Sequence, residues 1–498
     1  MKRTVNVCVH DLGGSGGKAF VGRYDGARIR LEEVYRYPFG MTRVGKDFYW
    51  DIPLVIHNAL QGIGWAAARV NGALDTFAAT GFGNVLALLD HNDRLFAPSF
   101  ACSSRRMAGV QEELFQHIQP ETLYARTGVE ITDNQSLMLM RAYRKNGDMD
   151  ILKAASCAMQ HVDALLFFLT GEKRSERTTA SASGLYAPSL RNWAPELVEL
   201  AGLTMDKLPP VTDPCSRLGR ALPYVEDFAG VRDLQVANGP QHDTAAACFA
   251  LPTTQPNPAF MIVGTFALCG IETDAPVVTD AAFRGGVGNE ANPFGRNKLL
   301  CASRAMWFLE RFRASQTDAS GQPFSYEALV RMAEAEAPMR FLIDLENRDW
   351  FTESDDIYIQ VVSYCRETGQ GVIERPAQVV RCLLDSIAWF AHESYAKLER
   401  ISGIAPSEIY AVNGGARNSV LMQTVANLTR KPVYAGVYDA SSAGAVIGAL
   451  AARGELSTLQ ECRELSARST QLRRYEPEEE YDLRWAEVAC ANRVRLRA

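Results

Sequence analysis

The chain has 498 residues, enough for two to four domains at roughly 150 residues each. Its 47% hydrophobic and 22% charged residues are near globular averages, which excludes disordered and collagen-like chains. Fifty-two basic against fifty-eight acidic residues give a net charge of -6, which argues against nucleic acid as the main partner, because a phosphate backbone calls for a basic footprint. The longest apolar runs, Ala164–Leu169 and Ala443–Ala452, fall short of the roughly 20 residues of a membrane span. Asn6, His10 and Asp11 interrupt any apolar core behind Lys2 and Arg3, so no signal peptide is expected. Eleven cysteines are scattered without a CxxC pair and no HExxH occurs, so neither a disulfide framework, a zinc site nor a metalloprotease is expected. These features predict a cytoplasmic protein with buried, reduced thiols.

Val5–Val9 reads as a strand, followed by the glycine-dense Asp11–Lys18, a second strand at Ala19–Tyr24, a turn at Asp25-Gly26 and a third strand near Ile29–Arg36. Strand, turn, strand is neither the strand–turn–helix of a dinucleotide fold nor a P-loop. A helix is predicted over about Ile52–Val70, then a strand pair around Phe77–Phe82 and Val85–Leu89 with a turn at His91-Asn92-Asp93. The opening unit is echoed at Ala259–Val263, Gly264-Thr265 and Phe266–Glu272, which points to two similarly folded domains facing each other across a cleft. Pro376 opens a long amphipathic helix with Val379, Leu383, Ile387 and Phe390 on one stripe, and Gly403 closes it. A strand at Ile409–Val412 meets Asn413-Gly414-Gly415-Ala416, and a helix bearing Val420, Val425 and Leu428 follows. The charged segment after Pro477 reads as a terminal helix.

Three places carry chemistry. Asp11 with its glycine turn and Lys18 reads either as an ordinary hairpin with left-handed glycines or as an anion nest for phosphates, with the carboxylate beside a hydrated Mg²⁺. Asp243, within Gly239–Cys248, reads either as the N-terminal cap of a small-residue helix or as a general base. The Gly-Gly junction at Val412–Asn418 leaves room for a flat adenine against the main chain. Phosphate turn, second Gly-Thr turn, isolated Asp-Thr and late Gly-Gly shelf together suit an ATP-dependent kinase of actin-like type.

At this point the sequence resembles the FGGY carbohydrate kinases over nearly its whole length, and within them the L-rhamnulokinase group. The resemblance rests on Asp11–Lys18, Tyr49-Trp50-Asp51, Leu169-Thr170-Gly171, His242-Asp243-Thr244-Ala245, Gly264-Thr265 and Asn289-Glu290, then on Tyr364–Gln370, Arg381–Ser386 and Val412–Asn418. It implies an α/β fold of two ribonuclease-H-like (actin-like ATPase) domains around a central cleft. Residues 1–245 would hold the sugar site and first phosphate loop, and residues 246–498 the nucleotide site. The implied reaction uses ATP and Mg²⁺ to phosphorylate a hydroxyl, at C1, of a ketose such as L-rhamnulose.

By the same resemblance Asp243 is the catalytic base, with His242, Thr244 and Gly83 beside it at the sugar. Gly14, Ser15, Gly16, Gly17 and Lys18 form the first phosphate loop, Thr265 belongs to the second, Glu310 lies on the ATP side, Gly414 is the adenosine shelf and Asp11 serves the metal. The partner is a small sugar, without nucleic acid or membrane, and the family pattern is a homodimer. The chain departs from the group at Thr80-Gly81-Phe82-Gly83-Asn84-Val85, where rhamnulokinases carry Asp-Thr-Trp-Gly-Val-Asp. It departs again at Ala101-Cys102-Ser103, Ala302, Glu310 and Asn413. A pocket that loses hydroxyl-binding groups at Thr80, Val85, Ser103 and Ala302 selects a different hydroxyl pattern. L-Fuculose, xylulose or another sugar or polyol is therefore an alternative substrate, and a catalytically weak sugar- and nucleotide-binding sensor is the alternative function.

Overall fold

The computed structural model describes residues 3–14, 16–318, 320–347, 350 and 356–479. Ser15 and the end of the expected terminal helix, residues 480–498, lie outside the described residues. The chain forms two compact units. The first gathers residues 1–255, 273–299 and 439–470, and the second residues 256–272, 300–438 and 471–498.

The first unit is built on a six-stranded sheet. Its strands are β1 (Val5–Gly13), β2 (Gly16–Tyr24), β3 (Ile29–Pro38), β4 (Thr76–Gly81), β5 (Ser216–Arg220) and β6 (Gln235–Asn238), in the order β5-β6-β4-β1-β2-β3. β1, β2 and β3 form an antiparallel meander, whereas β1, β4 and β6 run parallel. β-Branched and apolar residues of β1, including Val7 and Val9, are fully buried, as a strand covered on both faces requires. The helix Ile52–Arg69 begins where the Asp51 carboxylate accepts the Leu54 N–H at 2.9 Å, with Pro53 in its first turn. The helix Ala440–Arg453 returns from far along the chain to this unit. Val446 packs against Gly22, where a Cβ would come within 2.6 Å of its side chain.

The second unit repeats the scheme. β7 (Ala259–Val263) and β8 (Phe266–Thr273) form an antiparallel hairpin, with β9 (Asn297–Arg304) next in order beyond β8. On the other side β10 (Ile409–Val412) and β11 (Val433–Ala435) continue parallel to β7, and β12 (Arg473–Tyr475) closes the edge antiparallel. The order β9-β8-β7-β10-β11-β12, six neighbours in a sheet of seven strands, matches β3-β2-β1-β4-β6-β5, and Gly288–Ala291 is the seventh strand, next to β9. Both units are therefore ribonuclease-H-like. The long helix predicted from Pro376 runs Pro376–Ser402, with Gly403 left-handed at φ 70°. Tyr395 on that helix donates its hydroxyl to the Phe260 carbonyl of β7 at 2.7 Å.

Two local expectations are corrected. The runs near 77–82 and 85–89 are strands, but they do not pair with each other. β4 lies in the main sheet, whereas Leu86–Leu89 pairs antiparallel with Cys157–Gln160. Alternation marks a strand without naming its neighbour. Gly13, Gly14 and Gly17 do not adopt the left-handed conformation expected of a glycine turn. Gly17 serves close approach instead, because a Cβ there would meet the Tyr37 ring at 2.2 Å.

Candidate active site

In open α/β sheets, ligands gather outside the carboxyl ends of the parallel strands. In the first unit three such ends meet. Asp11 stands near the end of β1, paired in register with Thr80 on β4 and with Lys18 on β2. Gly81, the last residue of β4, donates its N–H to the Gln241 carbonyl at 2.8 Å, and Thr80 donates its hydroxyl to the same oxygen at 3.2 Å. Gln241 lies three residues past the end of β6, so the segment leading to Asp243 is fastened to the end of β4.

That segment is held from a second side. The fully buried Glu176 carboxylate accepts from the backbone N–H groups of Thr178, Thr179 and Gln241, and from the Thr178 hydroxyl. Thr178 Oγ1 accepts the His242 N–H at 3.1 Å. The short helix Asp243–Phe249 then starts. His242 occupies the capping position and Asp243 is the first helical residue, so the capping alternative for Asp243 is set aside. Its side chain keeps 27% of its surface open. Burial pushes the Asp243 carboxyl up, with His242 and Lys298 acting in the opposite direction. A carboxylate raised toward neutrality while still reachable is suited to accepting a proton.

Around it stand the other predicted sugar-side residues. His242 Nε2 lies 3.8 Å from Asp243 Oδ1, and a Cβ on Gly83 would come within 3.5 Å of that same nitrogen. Thr244 Oγ1 is 3.3 Å from His242 Nδ1. Beyond Gly83, the Phe82 ring lies tilted against both Trp50 and the buried His161, with centroids 4.8 Å apart in each pair.

The phosphate-side residues lie in the same unit. Asp11 Oδ2 accepts from Ser442 Oγ of the returning helix at 2.8 Å. Burial lifts Asp11 to about 6; the Ser442 hydrogen bond and Lys18 oppose this, and the nearby Asp243 adds to it. Among the described residues Asp11 makes no ion pair. Lys18 Nζ lies 3.6 Å from Asp439, with both side chains partly exposed. A Cβ on Gly14 would meet nothing within 4 Å, so the bend is open. A raised carboxylate without its own cation, next to an open glycine bend and a lysine, fits a hydrated Mg²⁺ with phosphate oxygens. Among the described residues no cluster of three or more His, Cys, Asp or Glu could hold a metal alone. Asp11 with waters and phosphates is thus the donor set that fits.

Thr265, Glu310 and Gly414 belong to the second unit. Thr265 follows Gly264 in the β7–β8 bend, and its carbonyl accepts the Ala305 N–H at 3.0 Å. Glu310 pairs with Arg313 at 2.9 Å and accepts the Tyr326 hydroxyl. Gly414 opens a short turn after β10, with nothing within 4 Å of a Cβ. Beside it Arg417 stacks over Tyr438 at 3.9 Å. Of the altered positions, Thr80 and Val85 are buried in the first unit, and Ser103 approaches Met41 Sδ at 3.0 Å.

Sequence reasoning missed Ser442, Asp439 and Lys298, and gave Glu290 no role. Lys298 sits on a strand beside Leu299 and Leu300, where its pattern is that of a core residue. Ser442 lies 431 positions from the carboxylate it binds. No local signal marks either.

Two family models match the chain. The N-terminal domain of the FGGY family of carbohydrate kinases covers residues 62–250, and its C-terminal domain residues 259–453. Among curated relatives, a rhamnulokinase of Bacteroides thetaiotaomicron is 30% identical over 94% of this chain and 95% of its own. One of Oceanobacillus iheyensis is 28% identical over 93% and 97%. Among solved structures, gluconate kinase from Lactobacillus acidophilus superposes with TM-score 0.81 at 14% identity, covering 100% of this chain and 99% of its own. Xylulose kinase from Rhodospirillum rubrum gives 0.80 at 18%, covering 99% and 98%.

Proposed function

The chain belongs to the FGGY family of carbohydrate kinases and is an ATP-dependent sugar kinase, and from that premise we propose that it phosphorylates a ketose, with L-rhamnulose the first substrate to try. The observation that carries the reading is the meeting of Asp11 and Asp243 at the carboxyl ends of parallel strands in one unit.

In the proposed reaction Asp243 accepts the proton of the attacking hydroxyl, at C1 of the ketose, as the oxygen bonds to the γ-phosphorus and ADP departs. The products are the sugar phosphate, ADP and a proton. Such a transfer asks for positioning and charge neutralisation more than for covalent help from the protein. His242, Thr244 and Gly83 line the sugar beside the base. Gly14, Ser15, Gly16, Gly17 and Lys18 receive phosphates, Thr265 and Glu310 serve the nucleotide, and Gly414 takes the adenosine. Mg²⁺, when bound, neutralises charge on the phosphate oxygens; Asp11, steadied by Ser442, is the residue that would hold it. We further propose that residues 1–245 serve the sugar and first phosphate loop and residues 246–498 the nucleotide, and that the protein works in the cytoplasm as a homodimer.

The buried apolar Val85 and the hydroxyl of Thr80, where rhamnulokinases have carboxylates, favour a second substrate reading. A sugar with fewer hydroxyls to satisfy at that wall would be preferred. The test is ADP release with Mg²⁺ATP and a panel of ketoses and polyols, run beside Asp243→Asn. At least one sugar is expected to turn over. The variant is expected to lose at least about 10²–10⁴-fold in kcat while still binding nucleotide by calorimetry. Sugar-dependent thermal stabilisation without turnover of any sugar would support the sensor instead.

A further inference from the structure

Beside the base stands a buried charge system that the reaction as described does not use. Lys298 on β9 has no exposed side-chain surface. Its ammonium donates to Glu290 Oε2 at 2.8 Å and to Thr244 Oγ1 at 2.7 Å. The same Glu290 oxygen lies 3.4 Å from His242 Nδ1, and His242 Nε2 faces Asp243. The contacts thus run from Lys298 through Glu290 to His242, and from Lys298 to Thr244, so that both chain neighbours of Asp243 are gripped.

Burying an ammonium is costly, and a buried ion pair is seldom more stable than apolar side chains of the same volume. An aliphatic residue would suit position 298, between Asn297 and Leu299 in a buried strand, at least as well for folding alone.

We infer that Lys298 and Glu290 are positioning residues for phosphoryl transfer: through Thr244 and His242 they fix the direction of the Asp243 carboxylate and balance the charge it feels. This rests on Asp243 being the base. The charged groups facing Asp243 are His242 from its own segment, Glu290, Lys298 and, from β1, Asp11. His161 faces His242 from the helix that follows Gln160. Lys298 favours the ionised Asp243 and Glu290 opposes it, so their removal acts with opposite sign.

The experiment is the pH profile of kcat/KM, with kcat and both KM values, for the full chain and for Lys298→Met, Lys298→Arg, Glu290→Gln, the double variant Lys298→Met/Glu290→Gln, and Asp243→Asn. Lys298→Met is expected to lower kcat about 10²-fold, the cost of a misplaced catalytic group, with KM for ATP unchanged and the acid limb moved to higher pH. Glu290→Gln is expected to move that limb to lower pH, and Lys298→Arg to recover most of the rate. If Lys298→Met does not fold because Glu290 is left unpaired, the double variant, which removes both charges, decides; it is expected to fold and to keep the low kcat. Limbs that stay put or shift the same way in both single variants, or a double variant with the parent's kcat, would overturn the inference. If Asp243→Asn still turns over, the reading of the base itself fails. If Asp243→Asn is dead while the Lys298 and Glu290 profiles match the parent, only the positioning role fails.

Discussion

The returning helix Ala440–Arg453 packs tightly on the helix Asp243–Phe249. A Cβ on Gly444 would lie 1.9 Å from the Ala246 carbonyl oxygen, whereas ordinary contact begins near 3.4 Å. Gly444→Ala therefore requires one helix to move by roughly 1.5 Å, because the obstacle is backbone. Overpacking of this kind costs about 1–3 kcal/mol. At roughly 1.5 °C per kcal/mol for a unit of this size, Tm should fall by about 2–5 °C. The larger effect is on turnover. The returning helix carries Ser442, which holds Asp11, and the other helix begins with Asp243. A displacement near 1 Å can cost about 10²-fold in rate. Calorimetry and ADP release, with Gly40→Ala as a control at a position where a Cβ meets nothing within 4 Å, measure both. A Gly444→Ala protein that melts and turns over like its parent would refute the packing argument.

Three further outcomes are expected. Asp11 is raised by burial from 3.8 to about 6, so the folded protein holds that proton more tightly than the unfolded chain; the resulting penalty is absent below about pH 4 and complete above about pH 6, at most roughly 3 kcal/mol. Without divalent cations Asp11→Asn should therefore melt above the parent at pH 8 and level with it at pH 4, and equal melting at pH 8 would contradict the assignment. Ser442→Ala removes a 2.8 Å hydrogen bond to Asp11 and should raise KM for MgATP several-fold without changing KM for the sugar, as initial-rate kinetics will read. Val85→Asp restores a carboxylate where the related kinases have one and should change the order of sugars in the panel; an unchanged order would remove Val85 from substrate selection.

The parts of the fold legible in the sequence are those written locally. Alternating β-branched residues marked β1, and Pro376 with Gly403 bracketed a helix on whose stripe Val379, Leu383 and Ile387 are buried and Phe390 is half-buried. The echo of β1–β2 in β7–β8 was visible because a hairpin is complete within about twenty residues. Strand partners were not visible: periodicity near 85–89 cannot say that Cys157–Gln160 lies alongside. At the site, Asp243 and Asp11 stood out through motif and resemblance. Their supports did not, because Ser442 and Lys298 reach the site only through tertiary folding. The apolar run Ala443–Ala452 is a core helix, and its glycines are set by how near the backbone at Ala246 and the Pro240 ring come to it.

The interleaving of the two units constrains how the polypeptide can be made. After residue 255 a ribosome must add roughly 180 more before Asp439 emerges, about 10–40 s of synthesis at ordinary rates. Throughout that interval the surface that will receive Val446 and its neighbours has no cover. A message truncated before codon 439 would thus yield a sticky fragment instead of a smaller working module, and in vivo yield should depend on chaperone supply more steeply than the finished molecule's melting point suggests.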